Sequence, residues 1–155
     1  MATRYDGTKA EVSALNAFIA LQRAADSVEA ATQAEIARSG LTQSRFGVLE
    51  ALLHLGPLTP KELAGKLLRS KGNLTLVIEN LEREGLTSRE PSKEDGRSFT
   101  VNLTAKGRKR IASMFPKHAK LITSALSSLS SSEQEDLRRL CRKLGKAQTK
   151  GGGHD

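Results

Sequence analysis

A chain of 155 residues has room for one compact domain with its attached helices and excludes a second full-sized domain. With no Trp, one Tyr and four Phe, its interior has to be built from Leu, Ile, Val and Ala, which favours packed helices over a sheet sandwich. A net charge of +8 suits a polyanionic partner such as nucleic acid, while the single cysteine, Cys141, excludes an internal disulfide.

In chain order, Leu15, Phe18, Ile19, Ala25, Val28 and Ile36 recur at helical spacing from Val12 and predict one long helix ending at Gly40. Such a helix overruns a small core, so its apolar stripe has to be buried against something else, such as a second subunit. Thr42 caps a second predicted helix with Phe46, Leu49, Leu52 and Leu53 inside, stopped by Gly56 and Pro57. Thr59, Pro60 and Glu62 form a capping box that starts a third helix at Pro60, with Leu63, Ala64, Leu67 and Leu68 on one face. The turn Arg69-Ser70 leads into a fourth helix, with Leu74, Val77, Ile78 and Leu81 inward and Gly85 at its end.

Leu86 to Arg89 and Ser98 to Leu103 read as the strands of a hairpin, joined by the polar loop Glu90 to Arg97, a wing. Thr104 restarts helix through Ile111, Met114, Phe115, Leu121 and Leu126, with a kink expected at Pro116. Ser131 and Gln134 read as the capping box of a last helix carrying Leu137, Leu140, Cys141 and Leu144 on one side, a stripe in which the thiol would be buried and inert. The expected fold is mainly α with a small β-wing: a winged helix-turn-helix module over 41–104, helical dimerisation arms over 1–40 and 105–148, and a disordered tail over 149–155. Charges at Arg4, Asp6, Lys9 and Glu11 precede any apolar run, so a cytoplasmic protein with neither signal peptide nor membrane span is expected.

Charge is sorted rather than merely in excess. Residues 41–104 carry nine positive and eight negative side chains, so nucleic-acid binding there has to rest on their placement. Lys61, Lys66, Arg69 and Lys71 gather where the third helix meets the fourth, with the free amides of a helix N-terminus beside them, an edge suited to phosphate. Glu79, Glu82 and Glu84 lie toward the far end. For Lys106, Arg108, Lys109 and Arg110, phosphate contact and a solvated face are equally open. His54, His118 and His154 are scattered, no Gly-rich phosphate loop appears, and no cluster has metal-ligand spacing, so neither an enzyme nor a metal or cofactor is expected.

Residues 67–86, Leu-Leu-Arg-Ser-Lys-Gly-Asn-Leu-Thr-Leu-Val-Ile-Glu-Asn-Leu-Glu-Arg-Glu-Gly-Leu, followed by Asp95-Gly-Arg97 and by Leu103-Thr104 with Gly107, resemble the MarR family of regulators, and the likeness extends from about residue 12 to 146. The resemblance implies a homodimer holding two winged modules over a pseudo-palindromic DNA operator, with the segment from Ser70 entering the major groove. It also implies an Arg at the wing tip, here Arg97, in the minor groove, the loop being held by the acid at Asp95. Within that frame Ser70 caps the recognition helix, Lys71, Gly72, Asn73 and Thr75 lie on its first turns, and Asn73 and Thr75 are chemically able to read base edges. Leu76 stands where many relatives carry a basic residue, and could touch a thymine methyl. Lys61, Arg69 and Lys93 complete the expected DNA-contacting set.

The family further implies a repressor released by a small phenolic or aromatic effector or by stress, and Phe18, Phe46, His54, Met114 and Phe115 are expected to wall the effector pocket. A non-specific architectural DNA binder and a protein-interaction winged-helix module are the rival readings, separable by competition with shuffled duplex.

Overall fold

The computed structural model describes residues 2–67, 71–92 and 98–151, with side chains for all of these except 71, 72 and 148–151. Six helices and one hairpin follow in the order α1 (Lys9–Arg38), α2 (Gln43–Leu55), α3 (Pro60–Leu67), α4 (Lys71–Arg83), β1 (Thr87–Pro91), β2 (Phe99–Leu103), α5 (Ala105–Ala125) and α6 (Ser131–Gly151). The expected mainly helical architecture with a small β-wing is present.

Helix starts are set by short polar signals. Thr8 and Glu11 form a reciprocal capping box, Glu11 Oε2 accepting from the Thr8 amide at 2.8 Å, so α1 begins ahead of the apolar period that starts at Val12. Thr42 and Thr59 cap α2 and α3 as expected, the Thr59 amide donating to Glu62 Oε2 at 2.8 Å. At α6 the box lies one residue earlier than expected: Ser130 and Glu133 form it, the Ser130 amide donating to Glu133 Oε2 at 2.7 Å. A carboxylate accepts an amide proton more strongly than a neutral amide oxygen does, which favours Glu133 over Gln134 in that role. Gln134 instead donates from Nε2 to the Leu126 and Leu129 carbonyls. α6 then continues to Gly151, past residue 148, and α5 runs through Pro116 without interruption.

α2 is the centre of the core. Phe46, Val48, Leu49 and Leu52 pack with Leu63 of α3, with Leu74, Ile78 and Leu81 of α4, and with Leu86 and Val101, all buried. Ile36 at the end of α1 and Ile111 on α5 close the cluster. β1 and β2 pair antiparallel in register from Thr87 with Leu103 to Pro91 with Phe99, and Leu58 adds a bridge to Val101 through two backbone bonds. This ties the α2–α3 connection to the hairpin.

The arms are different in kind. Of the thirty residues of α1 only Thr32 and Ile36 are buried, and α6 makes almost no contact with the rest of its own chain. α1 and α5 do pack together, and Lys117 Nζ lies 2.8 Å from Glu35 Oε1 across that seam. The hydrogen bond from Lys117 holds the Glu35 carboxyl below the usual carboxylate range. A group whose folded value is depressed stabilises the fold above its unfolded value, about pH 4.3, and loses that contribution as pH falls through the folded value. The urea midpoint of Glu35→Gln is therefore expected to lie below that of the wild type by a constant margin from pH 5 to 7. The margin should shrink below pH 4, and one that stays constant into acid would remove the seam pair from the account.

Candidate nucleic-acid interface

α4 divides cleanly along its length. Leu74, Val77, Ile78 and Leu81 are buried, while Asn73, Thr75 and Leu76 stand exposed on the opposite side, Leu76 at 55%. The arrangement follows from helical spacing: apolar residues at 74, 77, 78 and 81 fall on one stripe and leave the intervening positions outside. The first turns of α4 thus present an amide, a hydroxyl and an isobutyl group to solvent. That chemistry can address base edges: the amide pairs with adenine, the hydroxyl serves donors or acceptors, and the apolar group suits a thymine methyl.

Nearby, Lys61 and Lys66 of α3 are exposed. Ser70 and Arg69 lie outside the described residues, and for Lys71 and Gly72 only the backbone is described, as the opening of α4. The hairpin is followed as far as Ser92, whose amide donates to the Ser98 carbonyl at 2.9 Å. Lys93, Asp95 and Arg97, expected in the wing tip, fall between those two residues and outside the described ones.

Two positioning contacts went unnoticed in the sequence. Arg89 of β1 donates from Nε to both carboxylate oxygens of Glu82 on α4, at 2.8 and 2.9 Å, and its guanidinium carbon lies 4.5 Å from the centre of the Phe99 ring. The strand is thereby clamped to α4, fixing the hairpin's direction relative to that helix. The signal was a Glu and an Arg seven residues apart across a turn, which no helical or strand period relates. At the far end of α4, Glu84 pairs with Arg45 of α2. Glu82 and Glu84, the acidic groups at this end of the helix, are thus both paired with arginines of the same chain.

The cations that open α5 serve two purposes. Lys106 Nζ donates to the Glu84 carbonyl at 2.8 Å and Arg110 Nη2 to the Ser39 carbonyl at 2.6 Å, so they tie α5 to the end of α4 and to the end of α1. Arg108 and Lys109 are exposed. The N-terminus of α5 sits against Gly85 and Leu86, at the opposite end of α4 from Asn73.

The five residues expected to wall an effector pocket are spread from the core to the surface. Phe46 is buried in the core, with Met114 and Phe115 packed against it; His54 is exposed with its ring 4.4 Å from that of Phe115; and Phe18 is 55% exposed on α1. Beside them a cleft of about 490 Å³ opens between α1, α2, α5 and α6, lined by Val28, Thr32, Gln43, His118, Ile122 and Cys141 among others. The His118 ring lies 4.6 Å from that of Phe46, tilted by 45°, and its Nδ1 and Gln43 Oε1 are buried without hydrogen-bond partners. Cys141, expected to be buried, is exposed in the protomer because α6 stands clear of its own chain. Among the described residues no group of His, Cys, Asp or Glu could hold a metal ion, and no helix is long and apolar enough to cross a membrane.

Comparison with known proteins places this geometry. The model of the MarR family matches residues 41–99, the stretch from the start of α2 into β2. The chain is 36% identical over 132 residues to the HTH-type transcriptional regulator YkoM of Bacillus subtilis, covering 85% of this chain and 86% of that protein. Among solved structures, BpsR of Bordetella bronchiseptica, whose DNA binding is regulated by 6-hydroxynicotinic acid, superposes with a TM-score of 0.74 at 27% identity, covering 83% of this chain and 98% of that one. A MarR family regulator from Streptomyces coelicolor in complex with DNA shares the fold with a TM-score of 0.78 at 22% identity, over 93% of this chain and 91% of the other.

Proposed function

Since the chain belongs to the MarR family, DNA-binding transcriptional regulators rather than enzymes, we propose that it is a sequence-specific repressor that binds a pseudo-palindromic operator as a homodimer and leaves it when a small molecule binds. The observation that carries this reading is the exposed face of α4: Asn73, Thr75 and Leu76 point away from a helix whose other side is fully packed. In the proposed complex Asn73 and Thr75 read base edges in the major groove, and Leu76 meets a thymine methyl. Lys71 and Gly72 at the start of α4, with Ser70, Lys61, Arg69 and Lys93, hold phosphates. Arg97 enters the minor groove, and Asp95 steadies the loop that carries it.

The proposed dimer is supported by apolar groups left only partly covered within the protomer. Leu137, Leu140 and Leu144 of α6 are 41%, 53% and 50% exposed, and Leu15, Phe18 and Leu21 are exposed on α1. For release, an aromatic ligand between the arms and the winged module would shift the population toward a spacing of recognition helices that misfits the groove repeat. The ring cluster of Phe46, His54, Phe115 and His118, beside the cleft holding Gln43, supports that placement.

The test starts by selecting an operator from randomised duplex with purified protein. Asn73→Ala combined with Arg97→Ala should leave a folded dimer that no longer prefers the selected duplex over a shuffled one. The Asn73 amide alone accounts for about 1–3 kcal/mol of discrimination. Unchanged affinity at fixed salt would refute the assigned reading face, and equal affinity of the wild type for shuffled DNA would mark an architectural binder.

A further inference from the structure

From the contacts of one carboxylate we infer that Glu84 is the anchor that fixes the recognition helix against the helical arms and so sets the separation at which two copies of α4 read DNA. The inference rests on the dimeric regulator reading above and adds a positioning residue to it.

Glu84 directly follows the last residue of α4 and precedes Gly85, whose φ of +70° turns the chain sharply toward the hairpin. Two helices converge on it. From α2, the Arg45 guanidinium pairs with its carboxylate; from α5, Arg110 Nη1 lies 3.9 Å from the same Oε2. The other terminal nitrogen of Arg110 donates to the carbonyl of Ser39, the C-cap of α1, at 2.6 Å. Lys106, also on α5, donates to the Glu84 main-chain carbonyl at 2.8 Å. The C-terminal end of α4, where the helix dipole is negative, is thus held by three cations, two of them from an arm helix, and one of these also grips the end of α1.

The Arg110–Glu84 pair, 33% and 42% exposed, is screened by solvent and adds little to stability. Arg45, 14% exposed with its guanidinium Nε and Nη2 buried, needs an acceptor beside it, which the amide oxygen of a glutamine at 84 still supplies, and the apolar core already secures α4 within the winged module. What the cluster adds is a fixed angle between that module and the arms. Leverage makes the angle matter: α4 has thirteen residues, and at about 1.5 Å per residue its reading end lies roughly 20 Å from the anchor. A rotation of about 12° about Glu84 then moves Asn73, about 16.5 Å away, by roughly 3.4 Å, one base-pair step along the duplex.

Half-site spacing reads this directly. Operators whose central spacer is altered by one or two base pairs in either direction would be titrated with wild type, Glu84→Gln and Arg110→Gln. Wild type should lose at least about tenfold in affinity for each base pair of misfit, a typical cost for a mismatched position. Glu84→Gln should keep its affinity for the best spacing within about fivefold, because the reading and phosphate-holding side chains are untouched, while its discrimination among spacings falls below about threefold. Arg110→Gln leaves Arg45 on the carboxylate and should fall between the two, so a folding defect in either variant leaves the other to decide. A parallel loss at every spacing, or unaltered discrimination in both variants, overturns the proposal while leaving the regulator reading intact. A wild type that selects no duplex overturns both.

Discussion

Replacing Gly107 with alanine is expected to cost the protein more than about 3 kcal/mol of folding stability, a large share of the 5–15 kcal/mol typical of a domain. A Cβ built on Gly107 would lie 1.9 Å from the Leu86 carbonyl oxygen and 2.8 Å from its carbon, and both are backbone atoms. A flexible side chain could swing away; this carbonyl cannot, because it accepts the Thr104 amide at 3.2 Å and belongs to a residue buried in the core. Relief would require α5 to back away from the hairpin, breaking the cap in which Thr104 Oγ1 accepts the Gly107 amide at 3.0 Å and donates to the Gly85 carbonyl at 2.7 Å. Overpacking of a yielding core costs about 1–3 kcal/mol, and contact with immovable backbone lies beyond that range. Urea unfolding measures the effect: the midpoint should fall with little change in slope. A midpoint within error of the wild type would mean that the junction between hairpin and arm is looser than its geometry.

Gly107 also shows how much of the fold could be read in advance. Leu103, Thr104 and Gly107 served in the sequence as a family signature, and their physical meaning is the crowded start of α5 against Leu86. Elements with a strong period were readable: the stripe at 74, 77, 78 and 81 placed α4 and, by exclusion, its exposed face. Starts marked by a polar box were readable where one box stood alone, as at Thr59, and were misplaced by one residue where Ser130, Ser131 and Ser132 offered rival caps. Contacts between elements were not readable. Arg89 with Glu82, and Arg45 with Glu84, join side chains whose separation depends on how strands and helices dock, which no local pattern encodes. The aromatic residues show the same limit: apolar type placed Phe46 inside, yet nothing in the spacing told that the His118 ring would pack against it while Phe18 stayed outside.

The second large effect concerns α6. Leu140→Asp together with Leu144→Asp should convert the proposed dimer into a monomer at micromolar concentration and lower operator affinity by several orders of magnitude. Each leucine withdrawn from water contributes about 1.5–3 kcal/mol, so four leucines across two subunits represent as much as about 6–12 kcal/mol of association, an upper bound because part of each is already covered. A buried unpaired carboxylate then opposes association outright. α6 makes almost no contact within its own chain, and the core runs through Phe46, Leu63, Ile78 and Val101, so the substitutions leave the winged module its packing. Sedimentation equilibrium and circular dichroism should therefore show a protomer with native helix content, bound to DNA only as single half-site encounters that lose the cooperative gain of a linked pair. The exposed leucines have a competing use, as a seat for a different protein, and the same variant separates the two: in that case self-association and operator affinity would both survive the aspartates. Survival of the dimer would also remove the geometric basis for fixing two reading helices about one helical turn apart, since the apolar stripe on α6 is the uncovered surface proposed to hold them there.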